Sequence, residues 1–236
     1  MTPKHLAFAV LFFAFFACSG DGEESGSYDW VYDGETVEIG TQIWMAKNLN
    51  YDVKGSKCYN NSTDSCAKYG RLYNWQTAMK VCPNGWHLPS SEEWDKLLRF
   101  VDGDTSSESP YGSKTAGKHL RATSGWNAPY DGIENLDSTI TSSLIPCPHD
   151  SSELCFNPYH GTIENFDTYG FSALPAGLGN SDGSFSAVGY YGIWWSASEF
   201  NRGDAYCYGM FYNYNNAYWG NGDKPSYLLS IRCVKD

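Results

Sequence analysis

The sequence predicts an α+β domain, with two short helices packed on small antiparallel sheets and long irregular loops. Three observations point there. The chain of 236 residues carries 17% aromatic residues and 24 glycines, which supplies bulky groups for a core and many tight turns. Two 3.6-residue apolar periods stand almost side by side, over about 74–82 and 91–101. Residues 205–214 alternate with period two, as a strand does.

The N-terminus reads as an address. Lys4 and His5 precede the apolar run Leu6–Phe16, which is too short to span a bilayer and has the proportions of a secretory h-region. Ala17-Cys18 follows at once, which resembles a bacterial lipoprotein signal with Cys18 as the lipidated first residue of the mature chain. Phe15 stands where that signal usually has Leu, and an ordinary signal peptide cleaved nearby is the alternative. Residues 18–33 are acidic and rich in Gly and Ser, so they are expected to be a flexible tether. An acidic patch behind a lipidated Cys also resembles the surface-export signal of some Gram-negative lipoproteins. The expected organisation is signal peptide 1–17, tether 18–33 and one domain over 34–236.

In the domain, Thr36–Leu49 reads as a β-hairpin. Val37 and Ile39 alternate before Gly40-Thr41, and Ile43 and Met45 alternate after it. Gly at the first central position suits a type II′ turn. A polar loop follows, then Trp75, Ala78, Met79 and Cys82 recur at i, i+3, i+4 and i+7. Asn74 is the expected N-cap, and Pro83-Asn84-Gly85 the stop. Ser90 and Glu93 have the S-x-x-E spacing of a capping box. Trp94, Leu97, Leu98 and Val101 then form a buried stripe, with Glu92/Lys96 and Asp95/Arg99 as outer i, i+4 pairs.

Residues 103–168 show no convincing element except a short turn of helix around 114–121. In 205–214, Tyr206, Tyr208, Met210, Tyr212 and Tyr214 share one face, and Cys207, Gly209 and Phe211 the other. Asn215-Asn216 and Gly220-Asn221-Gly222 read as turns. Ser226–Asp236 reads as a final strand.

Composition excludes some function classes. Net charge is −11, with 27 acidic against 16 basic residues, and no Lys/Arg cluster is present to neutralise phosphates. Nucleic acid is therefore not an expected partner. Eight cysteines fit an oxidising, exported location. Assigning Cys18 to lipid leaves an odd set, so at least one thiol stays unpaired. Cys58/Cys66 and Cys147/Cys155 are local pairs, each closing a short polar loop.

Four blocks resemble the Fibrobacter succinogenes major paralogous domain: Val37–Tyr51, Tyr69–Trp75 with Cys82–Trp94, Gly170–Gly177 with Trp194–Glu199, and Ser230–Asp236. They occur in the family's order and cover roughly residues 33–236. The resemblance implies a secreted or surface-anchored bacterial protein. It also implies a C-type-lectin-like fold, in the variant shared with formylglycine-generating enzymes. In such folds a Cys ending the first helix bonds a Cys of the last strand, which implies a Cys82–Cys233 bridge and leaves Cys207 as the buried unpaired thiol.

His87 with Glu92 and Glu93 has the ingredients of a general base. The capping box accounts for Glu93, however, an outer pair and the helix dipole account for Glu92, and no nucleophile with a neighbouring base is present. Cys147, His149, Cys155 and His160 do not have a familiar zinc spacing, and export favours a disulfide. Lectin calcium triplets are absent, since Trp126-Asn127-Ala128 lacks the carboxylate. Asp102, Asp104, Asp182 and Asp204 are turn formers first. Cys233, committed to the long bridge, is not free to complete the copper-holding pair of the formylglycine-generating enzymes. Arg202-Gly203-Asp204 spells an adhesion tripeptide that recurs by chance. No cofactor, metal or catalytic residue is expected.

What remains is an aromatic, Asn-rich C-terminal region, suited to stacking on sugars or contacting a protein. Trp194 and Trp195 are expected to split, one in and one out. Tyr212, Tyr214, Tyr218 and Trp219 are expected to be exposed and to bind the ligand. The expected function is lipid-anchored adhesion or ligand binding at the cell surface, on the outer membrane, toward polysaccharide or a partner protein. The alternatives are an enzyme on a formylglycine-generating-enzyme-like scaffold and a purely structural envelope protein.

Overall fold

In the computed structural model, residues 28–103, 113–127 and 165–236 are described. Cys18, Asp104, the Cys147/Cys155 pair and the Cys147, His149, Cys155 and His160 group lie outside them. Among the described residues the architecture is α+β, with four helices and several small antiparallel sheets.

The first hairpin forms as the alternation predicts. Strand β1 (Thr36–Ile39) pairs with β2 (Gln42–Met45) through a two-residue turn. Gly40 has φ +65 and Thr41 stays out of the left-handed region, as a type II′ turn requires. Ala46–Leu49 leave the strand, but the Leu49 amide still donates to the Ile231 carbonyl at 2.9 Å.

The stretch expected to be a polar loop contains β3 (Ser56–Lys57), a 3₁₀ turn at Tyr59–Asn61 and helix α1 (Thr63–Tyr69). Cys66, buried on α1, bonds Cys58, so the disulfide fixes a helix of only seven residues to the turn before it. Strand β4 (Leu72–Tyr73) pairs back on β3.

Helix α2 (Trp75–Val81) starts where the Asn74 side chain accepts the Thr77 amide at 2.9 Å. Its core-facing stripe is the half-buried Trp75 with the buried Ala78 and Val81, not the predicted row through Met79, which is 43% exposed. The helix stops at Val81, and the core lies on the side of its last residue.

Strand β5 (Trp86–His87) leads into α3 (Ser91–Asp102). The capping box is complete, and Gly103 ends the helix in the left-handed region. Trp94, Leu97, Leu98 and Val101 are buried as the period predicts. Neither outer i, i+4 pair forms an ion pair among the described residues; Asp95 instead accepts the Tyr208 hydroxyl at 2.9 Å. Helix α4 (Ala116–Leu120) occupies the predicted short turn.

The last third holds β6 (Leu178–Asn180), β7 (Phe185–Ser186), β8 (Tyr191–Glu199), β9 (Asp204–Phe211), β10 (Ala217–Asp223), β11 (Tyr227–Leu228) and β12 (Val234–Lys235). Two expectations fail here. Gly220-Asn221-Gly222 is part of β10 rather than a turn, because the Trp195 indole packs where a Cβ on Gly222 would stand, at 2.8 Å. The expected final strand is two short strands, with the fully buried Arg232 between them.

The sheet β10-β9-β8 is the middle layer. One face packs on Val81 of α2, through Ile193, Trp195, Cys207 and Phe211. The other packs on α3 and α4, through Trp194, Tyr208 and Met210. The predicted alternation therefore holds over 205–211, where both faces are interior; the strand ends at Phe211, and Tyr214, expected on the Tyr208 face, packs on Phe211 instead. Trp194 and Trp195 do point to opposite faces, yet both are fully buried, which corrects the one-in, one-out expectation. Trp94 is the hub of the second core, stacked on Tyr208 at 5.2 Å and tilted against Trp44 at 4.9 Å.

The first and last strands of the described residues meet in the sheet β1-β2-β12-β5. Val234 pairs with Trp44 on one side and His87 on the other. A Cys82–Cys233 disulfide spans 151 residues and joins the end of α2 to this strand. The tether boundary also moves. Residues 28–33 are docked rather than free: Trp30 stacks on Tyr51 at 4.6 Å and donates its indole N–H to the Val81 carbonyl, and Tyr32 meets Trp86 edge-on.

Candidate functional site

The predicted ligand-binding residues sit on the β9–β10 hairpin, and its tip, Tyr212–Asn216, is held from behind. The Lys118 amide of α4 donates to the Asn215 carbonyl at 3.0 Å, and the Tyr212 amide to the Tyr190 carbonyl at 2.9 Å. Ser113 and Ala217 exchange two bonds, Ser113 N–H to the Ala217 carbonyl and Ala217 N–H to the Ser113 hydroxyl. The α4 backbone comes so close that a Cβ on Gly117 would stand 2.2 Å from the Asn216 carbonyl oxygen, so only glycine fits there. Beneath the tip, the fully buried Arg121 donates to the Phe211 carbonyl and lies 5.4 Å from the Trp126 ring. Burial lowers the Arg121 pKa to about 10, so the guanidinium is still charged near neutrality.

The four predicted residues are not brought together in one surface, and none is fully exposed. Tyr212 meets Tyr190 edge-on at 5.1 Å. Tyr214 and Tyr218 contact each other at 5.8 Å and lean on Phe211, against the first core. Burial raises the Tyr218 hydroxyl to about 12. Trp219 lies on the other side of the strand with Tyr206, at 5.5 Å, and Tyr206 meets Phe200 at 5.2 Å. The reason for the split is strand alternation: consecutive residues 218 and 219 face opposite layers. Two half-exposed aromatic patches result. Tyr190 and Phe200 belong to them and were not singled out from the sequence. Tyr190 follows the turn glycine Gly189, at φ +84, and its carbonyl accepts the Tyr212 amide of the tip.

The cluster around His87 is assembled, with a member the sequence did not suggest. The ring sits between two carboxylates, with Nε2 2.8 Å from Glu93 Oε1 and Nδ1 2.6 Å from Asp236 Oδ1. The other Glu93 oxygen accepts the Ser90 amide and hydroxyl. Partial burial opposes charge on His87, but the bonds to Asp236 and Glu93 and their negative charge outweigh it, so its pKa is raised. Burial likewise opposes charge on Glu93, yet its bonds to Ser90 and His87 hold its pKa down. A ring with both nitrogens engaged as donors has no lone pair for proton abstraction.

The calcium candidates spend their oxygens locally. Asp102 accepts the Lys114 and Thr115 amides, Asp182 the Ser184 amide, and Asp204 the Asn201 side-chain amide. Among the described residues no three or more His, Cys, Asp or Glu side chains are grouped to hold a metal ion. Cys207 is unpaired and buried, and burial raises its thiol to about 12, which makes it a poor nucleophile.

A family model described as the Fibrobacter succinogenes major domain matches residues 37–235. The chain belongs to that family. No curated protein and no solved structure matches it.

Proposed function

We propose that this member of the Fibrobacter succinogenes major domain family is a non-catalytic ligand-binding or adhesion domain with a C-type-lectin-like fold. It is carried to the bacterial outer membrane by a lipid on Cys18 and exposed at the cell surface. Its ligand is a polysaccharide or a partner protein, met by the aromatic C-terminal hairpin.

The observation that carries this reading is the mounting of the hairpin tip. Its backbone is fixed from behind by α4, Ser113 and Arg121, while Tyr190, Tyr212 and Trp219 stay half-exposed. A rigid backbone presenting rigid amphipathic rings loses little entropy on binding. The fold reading is supported by the Cys82–Cys233 link between the end of α2 and the last strand. The non-catalytic reading is supported by the occupied nitrogens of His87 and the inert thiol of Cys207.

Glycan arrays and pull-downs on cellulose and xylan test the activity, using the mature chain and a Tyr212→Ala/Trp219→Ala variant. Binding that the double substitution abolishes is expected. Absence of binding to any glycan or surface protein would overturn the reading. Mass spectrometry of the mature N-terminus tests the anchor; a diacylated or triacylated Cys18 is expected.

A further inference from the structure

His87 bridges two parts of the chain that lie far apart in sequence. Glu93 belongs to the first turn of α3, and Asp236 follows β12, 149 positions from His87. We propose that His87 is a proton-operated latch on the segment beyond Cys233, holding Asp236 while the ring is doubly protonated and releasing it when one proton leaves.

The argument rests on donor count. An imidazolium has two N–H donors and satisfies both carboxylates. A neutral imidazole has one donor and one lone pair. Its second nitrogen would then turn that lone pair toward a carboxylate oxygen at under 3 Å, so one of the two contacts must open. Anchoring decides which one. Glu93 is also held by the Ser90 amide at 2.8 Å and hydroxyl at 2.9 Å, and its side chain is 30% exposed. The Asp236 side chain is 60% exposed, and the residue is otherwise held by its own amide on the Gly85 carbonyl at 3.1 Å. Asp236 is the member that leaves. The Cys82–Cys233 bridge limits the motion to the residues beyond Cys233.

The charged groups that bear on the ring are Glu93 from α3 and Asp236 beyond β12. Lys235 of β12 is exposed and stands opposite Trp86, and β2, on the far side of β12, places Trp44 opposite Val234. The sign of the pH effect follows from the directions of the shifts. His87 is raised from 6.5, so its stabilisation is complete below that value and is lost as pH rises through the higher folded value. Glu93 is lowered from 4.5, so its contribution is present above that value and is lost as pH falls through the lower folded one. The latch is therefore tightest in mildly acidic solution and opens toward alkaline pH.

NMR titration of the mature chain tests this, following the His87 ring nitrogens, the Asp236 side-chain carboxyl and the Asp236 amide, with exchange corrected for its intrinsic pH dependence. The His87 pKa is expected above 6.5, with the Asp236 signals moving in step with it and the amide losing about tenfold in protection for each unit of raised pKa. Asp236→Asn and Glu93→Gln should each lower the His87 pKa. Glutamine can still close the capping box, so α3 should survive the second change. A ring titrating at or below its ordinary value, or Asp236 signals indifferent to it, would overturn the latch. The wild-type titration alone decides this if either variant fails to fold.

Discussion

The segment 82–98 and the hairpin 204–223 are both crowded with polar and aromatic side chains, and they spend them in opposite ways. In the first, each reactive group is answered nearby or across the fold. Cys82 is bonded to Cys233, Ser90 and Glu93 cap α3, His87 is gripped by two carboxylates, and Trp94 is the centre of a core. In the second, the backbone of the tip is clamped and part of the side-chain surface is left open. Its clamps come from α4, Ser113 and Arg121, and the rings of Tyr212 and Trp219 stay partly in water. A dense cluster of chemistry-bearing residues is thus a poor guide to function when its members satisfy one another. A fixed backbone with unsaturated side-chain surface is a better one.

Breaking the closed region should cost most. Cys82→Ser removes a bridge across 151 residues and should destabilise by about 4–5 kcal/mol in the chain-entropy model, read as a fall in the urea midpoint. Trp94→Ala empties the hub between Trp44, Phe171, Trp194 and Tyr208 and should cost about 3–5 kcal/mol by the same measurement.

The hairpin should behave differently. Tyr212→Ala with Trp219→Ala should cost only roughly 1–2 kcal/mol, because neither ring is fully buried, while removing ligand binding. The smallest expected effect sharpens the contrast from the closed side. Ser90→Ala should cost about 1 kcal/mol, the worth of one cap, and leave binding unchanged. If Ser90→Ala weakened binding as much as the hairpin pair did, the division between the two regions would collapse.

Which parts were legible in the sequence follows from the range of the interaction. The capping box, the Asn74 cap and the β1–β2 turn are set by residues within a few positions of one another, and all three form. Helix α1 was missed because it has one apolar anchor, Cys66, and too few residues to show a period; its stop at Gly70 was the available signal. The alternation of β9 was legible, but its meaning was not. Whether the Tyr208 face meets water or α3 depends on a helix more than a hundred positions away. The same distance hid Asp236 from His87. Gly222 misled because a turn and a seat for an indole both call for a missing side chain.

The central claim is that ligand recognition resides in the hairpin and not around His87. Titrating one polysaccharide that the mature chain retains, by calorimetry, against the wild type, Tyr212→Ala/Trp219→Ala and His87→Gln tests it most directly. Loss of binding in the hairpin variant with wild-type affinity in His87→Gln is the predicted result. Retained binding in the hairpin variant, with loss in His87→Gln, would contradict it.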